Sequence, residues 1–150
     1  MLQQLPFRVD ATIFEKAKVH PDARHTADHF YQFAWYYHFR YLARQAIPSS
    51  TNRLLVVPAT IADRKHKQEL FTTAVRSVVS QRQVVPETRL AFWMGRSDPC
   101  LWVADYCCWA IQRKWERTWQ GQPDDRSYQL IASKIRSEFD IFARGTGRYY

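Results

Sequence analysis

Asp105 is the single carboxylate in a run of eleven otherwise apolar residues, Leu101–Ile111. A carboxylate among apolar side chains is stripped of water, and leaving its charge unpaired costs on the order of several kcal/mol. It therefore needs a basic side chain, backbone donors or a metal ion as its partner. Carboxylates held on a rigid helix serve as metal ligands or general bases, which makes Asp105 the leading candidate for chemistry. A structural ion pair with an arginine is the alternative.

Two clusters of basic residues are candidate phosphate-binding sites. One is expected to open a helix and the other to close one, with Trp115 and Trp119 available to stack on bases. The alternative is a solvated helix face whose aliphatic stems cover apolar surface. The candidate nucleic-acid-binding residues are Arg64, Lys65, Lys67, Arg113, Lys114 and Arg117.

The charge of the chain is strongly positive. Its 22 Lys and Arg residues outnumber 14 Asp and Glu, for a formal net charge of +8. The excess is the same in both halves, so no basic tail explains it. Most of the basic residues are arginines, which suit bidentate phosphate contacts. The composition therefore favours a polyanion such as nucleic acid as a partner.

The three cysteines are Cys100, Cys107 and Cys108. An odd number, with two adjacent residues, is typical of reduced thiols and favours a cytoplasmic protein over a disulfide framework. The N-terminal residues lack the pattern of a signal peptide, and Leu101–Ile111 is too short to span a bilayer. No membrane association is expected.

The hydrophobic pattern predicts alternating strands and helices in one domain spanning residues 1–150. Asp10 falls on the polar face of the first strand, where we expect it to be solvated, and Leu54–Val57 is expected to be buried on both faces. This alternation is typical of a three-layer α/β domain. The predicted elements are strands at 7–13, 54–57 and 88–94, and helices at 24–45, 64–82, 99–119 and 124–145.

Two histidines, His25 and His29, lie four residues apart near the start of the first predicted helix. That spacing allows two imidazoles to share a zinc ion. No third ligand is evident, so polar residues at a helix start are the alternative interpretation.

The segment Ser97–Tyr106, followed by 109–117, resembles the C-terminal signature of a bacterial family called domain of unknown function 3800. This sequence and the family signature both contain Ala-Asp-Tyr within an apolar helix and then an Arg-Lys pair followed by a glutamate. The similarity extends more loosely to 7–16, 24–45 and 54–57. Members of this family are regarded as RNase H-like in fold.

The resemblance implies a metal-dependent nuclease-like activity. Asp105 would be the last carboxylate of the site and a ligand of Mg²⁺ or Mn²⁺, which activates water for phosphodiester hydrolysis. Asp63 is the nearest candidate for a second acid, because it follows the strand at 54–57. The alternative function is a non-catalytic module that binds nucleic acid or protein.

The sequence departs from the family at its start, since family members open with a strand bearing Asp-Glu-Ser-Gly. The expectation is therefore an RNase H-like domain that is incomplete at its N-terminus, with a mixed sheet of about three strands and four helices. The exposed sheet edge would need cover from a missing N-terminal segment or from a second copy in a homo-oligomer.

Overall fold

A computed structural model describes residues 4–48, 50–60, 65–82, 86–116 and 124–143, and these form a mixed α/β structure. The strands are β1 (Val9–Ile13), β2 (Arg53–Val56), β3 (Ala59–Thr60), β4 (Glu87–Leu90), β5 (Trp93–Met94) and β6 (Ile135–Asp140). The α-helices are α1 (Ala27–Gln45), α2 (Lys65–Val79), α3 (Pro99–Trp115) and α4 (Arg126–Gln129). Short 3₁₀ turns lie at Lys16–Lys18, Pro21–Arg24, Gly95–Ser97 and Ala132–Lys134. None of the helices in these ranges is long and apolar enough to cross a membrane.

The chain divides into two compact units. The α1–α2 unit comprises Thr12–Met94 with Asp140–Tyr150. The α3 unit comprises Met1–Ala11 with Gly95–Phe139. In the described ranges the strands pair two by two, β1 with β6, β2 with β4 and β3 with β5, rather than in one sheet of three strands.

Two short parallel ladders of the α1–α2 unit share one register. Arg53 lies opposite Glu87 in the first ladder, and Ala59 lies opposite Trp93 in the second, at the same offset along the chain. Between the two ladders stands Pro58, which has no N–H to donate. The two ladders are therefore one parallel strand pair that proline interrupts.

Among the described residues, only one face of this strand pair is packed, so the prediction that Leu54–Val57 is buried on both faces is wrong. Leu54 and Val56 pack against the core, whereas Leu55 keeps 61% of its surface exposed. β4 alternates in the same way, with exposed Glu87 and Arg89. A continuous apolar run suits full burial, but it requires packing elements on both faces.

The core of the α1–α2 unit lies between its two helices and the packed strand face. Its buried members are Phe39, Ala43, Phe71, Val75, Val78 and Val79. Four aromatic residues of α1 contribute to this core: Phe39 is buried in it, and Tyr31, Trp35 and Tyr36 pack against it. Trp35 meets the Phe71 ring edge-on at 4.7 Å, and Phe71 in turn meets Phe92 at 5.7 Å.

Arg82 closes the C-terminal end of α1. Its guanidinium donates to the carbonyl of Ala43 at 2.6 Å, and to those of Ile47 and Pro48 at 3.3 and 2.9 Å. The last carbonyls of a helix have no partner within the helix and carry partial negative charge. One side chain from beyond α2 therefore satisfies the end of α1 and ties the two helices together.

The predicted helix at 124–145 is wrong beyond its first turn. α4 ends at Gln129, and the chain becomes the strand β6 from Ile135, paired with β1. The four-residue spacing of Ile135 and Phe139 suits a helix, but short apolar patterns also suit a strand. Pairing with β1 decides between the two because it provides partners for the backbone of both strands.

Candidate nucleic-acid interface

The start of α3 forms as the sequence predicts. The Asp98 carboxylate caps the helix by accepting the backbone N–H of Cys100 at 2.7 Å, and Pro99 occupies the first helical position. Aspartate is favoured at the N-cap because its carboxylate accepts a backbone N–H that has no partner within the helix. Proline is favoured at the first helical position because it has no backbone N–H that needs a partner.

Asp105 lies on the exposed side of α3, so the expectation that it is buried is wrong. The helix buries Leu101, Cys107, Ala110 and Ile111. Its other side exposes two large aromatic side chains, Trp102 at 58% and Trp109 at 48%. Trp102, Asp105, Trp109 and Arg113 recur at intervals of three and four residues, which places them in one stripe along the helix. We call this stripe the tryptophan face.

Asp10 has a largely covered side chain, so the expectation that it is solvated is wrong. Its side chain is only 6% exposed. Arg8 binds both of its oxygens, at 2.6 and 2.7 Å, and the Ser137 hydroxyl donates to it at 2.6 Å. Ser137 belongs to β6, so the unexpected strand supplies part of the environment that accommodates Asp10.

An open pocket of about 510 Å³ borders the tryptophan face. Its walls combine an indole and a leucine side chain with two guanidinium groups, one carboxylate and one hydroxyl. The lining residues are Trp109, Arg113, Asp124, Arg126, Ser127 and Leu130. A ring with an attached anionic group, such as a nucleotide, matches this combination of an aromatic surface and arginines.

Asp124 contacts both arginines of the pocket. Arg126 binds it in a bidentate manner, with both contacts at 3.0 Å, and Arg113 lies 3.8 Å away. The hydrogen bonds from Arg126 lower the pKa of Asp124 to about 2, so this carboxylate is ionised at neutral pH. The Arg126 side chain stays 88% exposed and can still meet an anion from solvent.

Lys114, a predicted phosphate-binding residue, is not among the residues that line the pocket. Its ammonium lies 3.1 Å from the Glu138 carboxylate and 3.8 Å from the centre of the Tyr128 ring. Glu138 also accepts the Trp115 indole N–H and, at 2.7 Å, the Tyr128 hydroxyl. This network joins α3, α4 and β6, which gives Lys114 and Trp115 structural contacts.

The other predicted basic residues lie outside this site or outside the described ranges. Lys65 is exposed at the start of α2, in the α1–α2 unit. Lys67 pairs with Asp28 and lies 4.6 Å from the centre of the Tyr31 ring. Three predicted residues lie outside the described ranges: Asp63, Arg64 and Arg117.

The described residues do not by themselves form a magnesium cage around Asp105. Within these ranges no group of three or more His, Cys, Asp or Glu side chains could hold a metal ion. Mg²⁺ takes oxygen ligands, and Asp105 supplies the carboxylate of a single residue. In the candidate zinc pair, Nδ1 of His29 lies 2.9 Å from the Asp22 carbonyl oxygen, a contact that does not involve the other ring nitrogen, Nε2.

Sequence reasoning missed three parts of this site: the exposed tryptophans of α3, Arg126 and Asp124. The helical stripe of Trp102, Trp109 and Arg113 was visible in the spacing, but a uniformly apolar run hides which side is buried. The arginine and aspartate come from a different element, and only the folded chain brings them to α3.

Comparisons with known proteins add no relative: no family model, curated protein or solved structure matches this chain.

Proposed function

We infer that this chain binds single-stranded nucleic acid through the tryptophan face of α3 and the adjoining pocket. The observation that carries this proposal is the exposure of Trp102 and Trp109 on one side of a helix that ends in basic residues. Large exposed aromatic side chains are costly to leave in water and mark interaction sites when they cluster. The two tryptophans are seven positions apart, which separates their backbone positions by about 10 Å along the helix axis.

Stacking favours unpaired bases as the ligand. In a duplex the faces of the bases are already stacked, whereas in a single strand they are free to lie on indole rings. Arg113 follows Trp109 by one helical turn, and Arg126 lies across the same pocket. Guanidinium groups that line the same pocket as an aromatic surface suit phosphates beside a stacked base. The net charge of +8 adds a general attraction for the polyanion.

Fluorescence titration with short single-stranded RNA and DNA tests this proposal. We expect binding to quench tryptophan fluorescence and to weaken between about 50 and 200 mM salt, because bound phosphates displace counterions. Trp109→Ala is expected to weaken binding about tenfold or more, as the loss of one stacked base implies. Arg113→Ala should weaken binding to all sequences alike and reduce the salt slope by about one.

Two matched variants control for general effects. Trp93→Ala removes a tryptophan of similar exposure from the α1–α2 unit, and Arg136→Ala removes an exposed arginine from β6. Both should bind as the wild type does. Equal losses in the control and test variants would contradict the proposal, as would the absence of binding at low salt. If a protein partner binds instead of nucleic acid, the tryptophan face is a protein-binding surface, the other class of ligand predicted from the sequence.

A metal-dependent nuclease stays a second proposal, favoured by one observation. Asp105 is accessible and lies between the two indoles of the tryptophan face. The further carboxylates that such a site needs do not surround Asp105 in the described ranges. Cleavage of a labelled single strand with Mg²⁺ or Mn²⁺ tests this proposal directly, with Asp105→Asn as the inactive variant.

A further inference from the structure

β4 uses one of its two edges for hydrogen bonding within the described part of the chain, where it pairs with β2. The N–H groups of Glu87 and Ala91 donate to carbonyls of the segment that contains β2, at 2.8 and 3.0 Å. Successive backbone N–H groups of a strand point to opposite edges. Those of Thr88 and Leu90 therefore point away from β2, at an edge that can accept another strand.

The side chains of this edge carry an unusual charge pattern. Thr88 and Leu90 turn toward the packed face, while Glu87 and Arg89 stand on the exposed face. Arg89 donates to the Glu87 carboxylate at 2.8 Å within the same strand. Charges on an edge strand normally discourage pairing with other chains. Here the two charges are opposite in sign and two residues apart, so the strand can complement a copy of itself.

Only one antiparallel register uses this complementarity. With a two-fold axis at Thr88, each Glu87 lies directly opposite the partner's Arg89. Moving the axis by one residue places Glu87 opposite the partner's Glu87, or Arg89 opposite the partner's Arg89. Opposite charges in facing positions stabilise a strand pair, and like charges destabilise it. The same axis lets the outward N–H and C=O groups of Thr88 exchange two hydrogen bonds with those of the partner's Thr88.

We propose that this chain forms a symmetric dimer in which β4 pairs antiparallel with β4 of a second copy, centred on Thr88. The dimer joins the two parallel strand pairs into one four-stranded arrangement, in the order β2, β4, β4, β2. An isologous contact of this kind is closed, because each copy contributes the same edge of β4. The interface belongs to the α1–α2 unit and does not depend on the nucleic-acid function proposed for α3.

Sedimentation of the full chain during dilution through the micromolar range tests the dimer. The wild type should sediment as a dimer that dissociates on dilution. Arg89→Glu places two glutamates opposite each other at both symmetric positions, and Glu87→Arg does the same with arginines. Each variant should raise the dimer Kd about tenfold or more. The double variant, Glu87→Arg with Arg89→Glu, restores opposite charges and should return the Kd to within a few-fold of the wild type.

Arg136→Glu is the matched control, because it makes the same charge change on an exposed strand residue outside β4. It should leave the Kd unchanged, and circular dichroism should confirm that every variant is folded. A wild type that is monomeric throughout overturns the proposal, as do single variants that dimerise like the wild type or a folded double variant that stays monomeric. If a charge-reversal variant does not fold, Arg89→Gln and Glu87→Gln are used in its place. Each of these must raise the dimer Kd, and an unchanged Kd overturns the proposal.

Discussion

The Ser137 hydroxyl donates a hydrogen bond to the Asp10 carboxylate at 2.6 Å, joining two residues that are 127 positions apart in the chain. Asp10 belongs to β1 and Ser137 to β6, so this contact locks a side chain of each strand to the other. Because the Asp10 side chain is almost fully covered, this hydroxyl and Arg8 help to compensate its charge.

Asp10→Asn should destabilise the α3 unit. The amide loses the negative charge and turns an N–H₂ group toward donors that need an acceptor. We expect the free energy of unfolding to fall by about 1–3 kcal/mol, the usual cost of an unsatisfied buried group. Urea denaturation followed by circular dichroism measures the change. Asp22→Asn, at a carboxylate that is 90% exposed, should stay within about 0.5 kcal/mol of the wild type. Equal stability of Asp10→Asn and the wild type would contradict the role assigned to Asp10.

Glu138 should make stability depend on pH in the acidic range. Burial alone would raise the pKa of this carboxyl, but the hydrogen bonds from Tyr128, Trp115 and Lys114 outweigh it and lower the pKa below the ordinary value of 4.5. A lowered pKa in the folded state stabilises the protein fully above the ordinary value, and that contribution is lost as the pH falls through the folded value. Unfolding of Glu138→Gln, monitored by tryptophan fluorescence, should therefore show a weaker pH dependence below about pH 4.5 than the wild type. Parallel curves would show that Glu138 is not linked to folding.

Arg82→Ala should destabilise the α1–α2 unit, because the Ala43 carbonyl in the last turn of α1 and the Ile47 and Pro48 carbonyls just beyond it lose their charged donor. Hydrogen bonds from a charged group support an expected loss of about 1.5–3 kcal/mol. Thermal unfolding measures this loss. Arg76→Ala removes an exposed arginine from α2 and is the control, with an expected change within about 0.5 kcal/mol. Similar losses in both variants would indicate that general charge, and not the closure of α1, is responsible.

Asp105→Asn separates the two functions proposed for α3. If the tryptophan face only binds nucleic acid, removal of the negative charge between its indoles should strengthen binding about two- to threefold, as for other exposed charges. If Asp105 holds a catalytic metal, the same variant should abolish cleavage that depends on Mg²⁺. Titration and cleavage assays on one preparation give both readouts. An unchanged affinity without cleavage in either protein would contradict both roles of Asp105.

Most elements could be predicted from the sequence because their patterns are local. The helical spacing in α1 and α2 and the residues Asp98 and Pro99 at the start of α3 need only near neighbours. The helix predicted at 124–145 was wrong because the spacing of Ile135 and Phe139 fits both a helix and a strand. Pairing with β1, more than a hundred residues away in the chain, makes this segment a strand. The predictions for the two aspartates were wrong for a related reason. Burial of Asp10 depends on β6, and exposure of Asp105 depends on which side of an apolar helix packs against other elements.

The shared register of β2 with β4 and of β3 with β5 has a consequence for how the chain folds. Parallel strands cannot meet through a tight turn, so their pairing must wait until the intervening segment with α2 has crossed between them. Such non-local pairing is slow, since the loss of chain entropy precedes the gain in contacts. We therefore expect the backbone amides of these strands and of α2 to lose protection against hydrogen exchange together, as one cooperative folding unit.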